Sequence, residues 1–235
     1  LLGDAKTTLQ QILKENLTKL KIDDWREKST NIVNEWKAEL NKLRNSDSTP
    51  IRPERLMKEL SEVIPEDSIV ASDTGHTAMW TVQNLWMNKK WNFIRCAGSL
   101  GWGFPAAIGA KCAFPDKNVF CLTGDGGLWY HFTELETAVR SDIPTITIVN
   151  NNNALNQEYD IFMNAYDGKP SNRWTEMWYF NKVSFAELAN NMGAFGIRVT
   201  DPTDIKEAVK EAMKSKKPSI VEIDGDVNAL APTPW

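Results

Sequence analysis

The residues best equipped for chemistry are Asp125 and Asn152, two short-armed oxygen donors 27 positions apart. Each stands where an apolar, strand-like run gives way to polar residues. Val119 to Thr123 leads into Gly124-Asp125-Gly126-Gly127, and Thr145 to Val149 leads into four asparagines, Asn150 to Asn153. In an open parallel sheet the C-terminal ends of the strands form the edge where ligands bind. A hard divalent cation such as Mg²⁺ takes oxygen ligands and few of them from protein, completing its shell with phosphate and water. A backbone carbonyl near Ala154 offers a third oxygen. Glycines at 124, 126 and 127 let backbone N–H groups approach a phosphate closely. A tight turn and an unrelated polar loop would explain either cluster alone, but not both at the ends of strands joined by one helix-like segment. The pattern is that of a metal-diphosphate site.

Two further stretches belong to the same edge. Asp73-Thr74-Gly75-His76-Thr77 follows a strand-like run and precedes a helical one. Thr77 is the expected N-cap, and the free N–H groups beside it favour a phosphate. His76 is read as a contact to a phosphate or cofactor ahead of a proton-transfer group, with a packing role as the alternative. His131, the second of two histidines, is read as structural. Gly98-Ser99-Leu100-Gly101-Trp102-Gly103 lacks the GxGxxG spacing of a dinucleotide site and has no suitably placed acid after a second strand. Its glycines suit a backbone meeting a flat ligand edge-on, with Leu100 as the apolar contact, or close helix packing. Glu134 and Glu136 are two apart on a helical run and do not face each other. No nucleophile elbow and no P-loop occurs in the sequence.

These stretches need a scaffold of alternating elements. Helical runs are expected at Lys6 to Leu20, Asp23 to Arg44, Pro53 to Ile64, Thr77 to Trp86, from Pro105, after Asp125, at Ser184 to Met192 and at Asp204 to Met213. Strands are expected at Ser68 to Ala71, Phe93 to Arg95, Val119 to Thr123, Thr145 to Val149, Gly196 to Val199 and Ser219 to Ile223. Ala154 to Asn181, rich in Trp and Asn, reads as irregular. Alternation of this kind predicts an α/β fold, a doubly wound, mostly parallel six-stranded sheet with helices on both faces. The polar linker Asn45 to Pro50 marks the domain boundary. Residues 1–49 are read as the end of a preceding domain plus a helical linker, and 50–235 as the binding domain. Trp25, Ile32, Trp36, Leu40 and Leu43 form one stripe along the second helix, expected to pack on a neighbouring domain.

With 235 residues, 42% of them hydrophobic, the chain can bury a sizeable core. Its net charge of −4, with both signs interspersed, points to neither nucleic acid nor a membrane surface. No apolar run reaches the roughly 18 residues of a membrane span. Cys96, Cys112 and Cys121 form no CxxC pair and are read as free thiols, and the chain as cytoplasmic.

Together, GSLGWGFPAAIGA, TGDGGLWYHFTELETAVR and PTITIVNNNN resemble the cofactor-binding domain of thiamine-diphosphate enzymes of the acetohydroxyacid synthase, pyruvate oxidase and 2-oxo acid decarboxylase superfamily. The likeness runs from about Pro50 to the C-terminus, and LLGDAKTTLQQIL resembles the tail of that family's central domain. The resemblance implies that Asp125, the Asn152 side chain and the Ala154 carbonyl bind Mg²⁺. It sets Thr74, Gly75, His76, Gly126 and Gly127 around the diphosphate. It also sets Gly98 and Leu100 at the aminopyrimidine, with Leu100 in the wedge position that bends thiamine diphosphate, and Ser99, Gly124, Leu155 and Asn156 among the cofactor-binding residues.

The family's activating glutamate lies on a separate pyrimidine-binding domain, across a subunit interface, so no catalytic residue is assigned within this chain. The chain is expected to be part of a longer polypeptide or of a split enzyme, inert alone and assembled as a homodimer or homotetramer. FAD, used by some members, draws no support from this segment. Gln157, Ile161 and the pair Leu155-Asn156 depart from the acetohydroxyacid synthase pattern, and the polar Asn156, Gln157 and Glu158 suggest a pocket for a 2-oxo acid or 1,2-diketone, or else face solvent. Trp174, Trp178 and Tyr179 are read either as a flap over the site or as core. The implied function is a lyase or transferase making or breaking a C–C bond next to a carbonyl. A 1,2-diketone hydrolase, a simple decarboxylase, a non-catalytic cofactor-holding subunit and, more weakly, a nucleotide-binding module stand as alternatives.

Overall fold

The structure is a computed structural model that describes residues 2–15 and 22–231. It divides into two compact units, Leu1–Asn41 and Lys42–Trp235. The first unit holds α1 (Ala5–Lys14) and most of α2 (Asp23–Arg44). Asp4 caps α1 by accepting the Thr7 N–H at 2.8 Å. Residues 2–4 carry no strand, and the expected extension of this helix to Leu20, with Leu17 on its apolar face, lies outside the described residues beyond Glu15. Trp25, Ile32 and Trp36 on α2 are exposed.

The second unit is built on a sheet of six strands among the described residues, every pair of them parallel. In chain order its elements are α3 (Pro53–Val63), β1 (Ile69–Ser72), α4 (His76–Asn84), β2 (Asn92–Arg95), α5 (Gly103–Ala113) and β3 (Val119–Gly124). Next come α6 (Asp125–His131), α7 (Glu134–Arg140), β4 (Ile146–Asn151), α8 (Glu158–Ala165), α9 (Phe185–Asn191), β5 (Phe195–Val199), α10 (Ile205–Ser215) and β6 (Ser219–Asp224). The spatial order is β2-β1-β3-β4-β6-β5, so the sheet runs outward from β1 in both directions.

The residues of the four inner strands β1, β3, β4 and β6 are buried on both faces, as a parallel sheet covered by helices requires. On one face Val70, Phe120, Leu122, Ile146, Ile148 and Val221 pack with Leu56 and Leu60 of α3, Trp80 of α4 and Ile205 and Val209 of α10. On the other face Ile69, Ala71, Val119, Cys121, Val149 and Ile220 pack with Phe104 of α5, Leu128 of α6, Leu135 of α7 and Phe185 of α9. Cys121 is fully enclosed, and burial pushes its thiol well above the usual range. Cys96 and Cys112 are also free. No helix among the described residues is long and apolar enough to cross a membrane.

Four local expectations are corrected. The helix after Asp125 is two helices, because Leu135 and Glu136 bond back three residues to Phe132 and Thr133, tightening the chain between α6 and α7. The segment 154–181 is not wholly irregular: it contains α8 and a single 3₁₀ turn, Trp174–Met177. Thr77 lies inside α4, whose N-cap is Gly75 with φ +78°, a backbone region that glycine enters without strain. The asparagine run is partly strand, since β4 extends through Asn150 and Asn151.

Candidate cofactor site

The site lies where β1, β3 and β4 end side by side. Ser72 is in register with Leu122, and Gly124 with Asn150, so the loops after these strands start at one level of the sheet edge. β3 runs directly into α6, which places Asp125 in the first turn with its side chain buried. One of its oxygens, Oδ1, accepts the Gly126 N–H at 2.7 Å. The other, Oδ2, accepts the Ala154 N–H at 3.0 Å, and the same N–H reaches Asn152 Oδ1 at 3.1 Å. One backbone donor thus gathers the two oxygens singled out from the sequence. Burial raises the Asp125 carboxyl to about 7, against the lowering effect of these N–H groups.

Asn151 and Asn153 shape the loop that carries Asn152. Asn153 takes a left-handed conformation, φ +55°, and its N–H donates to Asn151 Oδ1 at 3.2 Å. The loop is then closed by backbone pairing with 178–180: Leu155 N–H donates to the Trp178 carbonyl and Phe180 N–H to the Asn153 carbonyl, both at 2.8 Å. Leu155 lies over Gly126, where an added Cβ would meet its Cδ2 at 2.5 Å.

Beneath these loops Asp73 serves as a tie. Its buried carboxylate accepts the Thr74 N–H at 2.8 Å, the Gly101 N–H at 3.0 Å and the Thr123 hydroxyl at 2.8 Å. A single side chain therefore joins the end of β1, the loop before α5 and the end of β3. Gly103 and Gly127 both lie so close to Asp73 that neither has room for a Cβ.

The resulting cleft has about 580 Å³ of open space. It is lined by Thr74, Gly75 and His76, by Leu100, by Gly124 to Gly127, and by Asn152, Ala154, Leu155 and Asn156. The structure thus brings together twelve of the fourteen residues expected at the cofactor. Gly98 and Ser99 are not among the lining residues, although Gly98 N–H reaches Thr74 Oγ1 at 3.3 Å. Gln157 and Glu158 also line the cleft. Trp178 is buried among Tyr159, Trp174 and Tyr179, with ring centroids 4.4 to 6.0 Å apart, while Tyr179 remains exposed. His131 is exposed at the end of α6.

The sequence reading missed Trp80 and Ala229 in the lining, and the tying role of Asp73. Asp73 carried a signal, an acid directly after an apolar strand with glycines at 101, 103 and 127 to receive it. Ala229 carried none, since it follows β6 by only a few residues and arrives through the fold.

The donor set suits a hard cation. No cluster of three His, Cys, Asp or Glu side chains occurs among the described residues, and Mg²⁺ needs none, being content with one carboxylate, one amide and one carbonyl plus phosphate oxygens. Buried Asn150 Oδ1, Asn156 Oδ1 and His76 Nδ1 have no hydrogen-bond partner among the described residues, so polar capacity is left over around the cleft. Burial lowers the His76 pKa, with Asp160 acting in the opposite direction, so the site favours the neutral ring.

Comparison with known proteins agrees with this architecture. Residues 73–223 match the family described as thiamine pyrophosphate enzyme, C-terminal TPP binding domain. The chain belongs to that family. A probable acetolactate synthase large subunit from Methanocaldococcus jannaschii is 34% identical over 234 residues, covering 95% of this chain and 38% of that protein. Its counterpart from Methanococcus aeolicus is 30% identical over 236 residues, covering 94% of this chain and 39% of that protein. Among solved structures, the thiamine diphosphate-dependent 4-hydroxybenzoylformate decarboxylase of Rhodococcus jostii RHA1 matches with a TM-score of 0.65 and 26% identity, over 78% of this chain and 34% of that one. The chain spans about two fifths of the length of these curated relatives.

Proposed function

We propose that the cleft holds Mg²⁺ and the diphosphate end of thiamine diphosphate. We further propose that the protein carrying this chain makes or breaks a C–C bond next to the carbonyl of a 2-oxo acid, in the manner of an acetolactate synthase. The observation that carries the reading is the Ala154 N–H shared by Asp125 Oδ2 and Asn152 Oδ1, which draws one carboxylate and one amide oxygen to a single point. In this reading Asp125, Asn152 and the Ala154 carbonyl hold the metal. Gly126, Gly127, Thr74, Gly75 and His76 surround the diphosphate, and Leu100, with Leu155 and Asn156, supports the organic part. When bound, the cofactor supplies an electron sink for the carbanion formed at the substrate carbonyl.

The chain's own residues bind and orient. The Asp73 carboxylate, through Gly101 N–H, fixes the loop that presents Leu100. Leu155, seated over Gly126, presents an apolar wall and excludes water. Gly98 and Ser99 are assigned to the pyrimidine side, which a second domain completes. That domain, from the same longer chain or another, also brings the activating glutamate, and the assembly is a homodimer or homotetramer working in the cytoplasm. The two-fifths share of the relatives' length supports a contribution from elsewhere.

A simple decarboxylase is the second reading. It is favoured by Gln157 and Glu158, polar groups beside the cleft, and by the likeness to a decarboxylase structure.

Calorimetric titration of the intact protein tests the site. Thiamine diphosphate is expected to bind in Mg²⁺, with NAD and ATP giving no heat, and Asp125→Ala is expected to abolish binding. Product analysis with a 2-oxo acid then separates carboligation from decarboxylation. Normal cofactor binding by Asp125→Ala in Mg²⁺ would refute the metal assignment.

A further inference from the structure

Glu222 lies in β6 with no exposed surface, in register with Val149 of β4. Each neighbour offers it a proton. Its Oε1 accepts Asn151 Nδ2 at 2.8 Å, and Arg198 Nε lies 3.9 Å from that oxygen. Its Oε2 accepts the Ser184 hydroxyl at 3.0 Å and the Ala186 N–H, in the first turn of α9, at 2.9 Å. A carboxylate taken wholly out of water is costly even when satisfied, and an apolar residue of similar size fills the same space at less cost. Besides anchoring Ser184 and Ala186 at the start of α9, the carboxylate provides what an apolar residue does not, control over the direction in which the Asn151 amide points.

Asn151 directly precedes Asn152. Both of its amide protons are used, one by Glu222 and one by the Val183 carbonyl at 3.2 Å. Its oxygen is thereby turned the other way, where it accepts the Asn153 N–H at 3.2 Å. That contact holds Asn153 in its left-handed conformation and so sets the turn in which Asn152 Oδ1 and Asp125 Oδ2 share the Ala154 N–H. We propose that Glu222 is a positioning residue for the metal site, acting through the Asn151 amide, although it touches no part of the cleft. The proposal rests on the reading of the cleft as the Mg²⁺-diphosphate site.

The test is Glu222→Gln in the intact protein. Glutamine keeps the size, and its one oxygen still serves Ser184 and Ala186, but it turns an NH₂ toward the NH₂ of Asn151. Neither orientation of the Asn151 amide then satisfies its neighbours. Unflipped, its NH₂ meets an NH₂, and flipped, its oxygen faces the Val183 carbonyl and its NH₂ the Asn153 N–H, so the amide no longer has one fixed direction. With thiamine diphosphate saturating, Mg²⁺ affinity by calorimetry is expected to fall between about ten- and a hundred-fold, the range seen when the partner orienting a ligand is lost. In the protein without metal, the Asn153 amide proton is expected to exchange faster by NMR.

Ser184→Ala removes a bond to Glu222 without touching Asn151. It is expected to lower the melting temperature and leave Mg²⁺ affinity unchanged. Glu222→Gln binding Mg²⁺ like wild type overturns the proposal alone, as does Ser184→Ala losing as much Mg²⁺ affinity as Glu222→Gln. A wild-type protein that takes up no Mg²⁺ with the cofactor overturns the reading of the site, and the proposal with it.

Discussion

Burial holds the Asp125 carboxyl near 7, and this has a thermodynamic sign. Between about pH 4 and 7 the folded, metal-free protein keeps a proton that the unfolded chain releases, so folding takes up a proton and stability falls as pH rises through that window. At full extent the difference is on the order of 4 kcal/mol, and it levels off above pH 7. The melting temperature of the metal-free protein is therefore expected to drop between pH 5 and 7.5. The Asp125→Asn protein, with no proton to lose at this position, should lack that drop, which calorimetric scans would show. The site thus carries a charge that the empty fold resists and a cation would neutralise. Asp73 is the opposite case, a carboxylate that ties rather than binds: Asp73→Ala leaves the Thr74 and Gly101 N–H groups without their acceptor. It is expected to cost about 1–3 kcal/mol or more in chemical denaturation.

Among the elements, glycines give the clearest contrasts. Gly127 has no space, since an added Cβ would meet Thr123 Oγ1 at 2.7 Å and press on Asp73. Gly109, within α5, has nothing within 4 Å of its would-be Cβ. Gly127→Ala is expected to destabilise by about 2 kcal/mol or more. Gly109→Ala should stabilise by about 0.5–1 kcal/mol, the difference in helix propensity, and thermal melts distinguish the two.

Strands and most helices were legible in the sequence because their apolar residues face a sheet and so repeat with a period of 2 or 3.6. Helix α8 was not, because Ile161, Phe162 and Met163 stand side by side in only eight residues, so no stripe of helical period shows. The cap at Gly75 was misread as Thr77 because both residue types suit an N-cap, and only the positive φ decides between them. In the site, Asp125 and Asn152 could be found from local signals at strand ends. Asp73 joins Gly101 and Thr123, 28 and 50 positions away, a relation that only the folded sheet brings about.

For the molecule as a whole, cofactor binding should appear as stability. A ligand that binds only the folded state adds about 2.7 kcal/mol at a hundred times its dissociation constant. Thermal-shift measurements are expected to show a rise with Mg²⁺ and thiamine diphosphate together and little with either alone. The rise should be absent in Asp125→Asn.

The pairing of 153–155 with 178–180 has a further consequence. It is made by backbone groups, Leu155 N–H to Trp178 and Phe180 N–H to Asn153, and so is largely indifferent to the side chains between them. Residues 157–177 accordingly form a cassette clasped at its base, free to change in sequence and length while the metal-bearing turn stays in place. A lineage could exchange one chemistry for another by rewriting that cassette and nothing else.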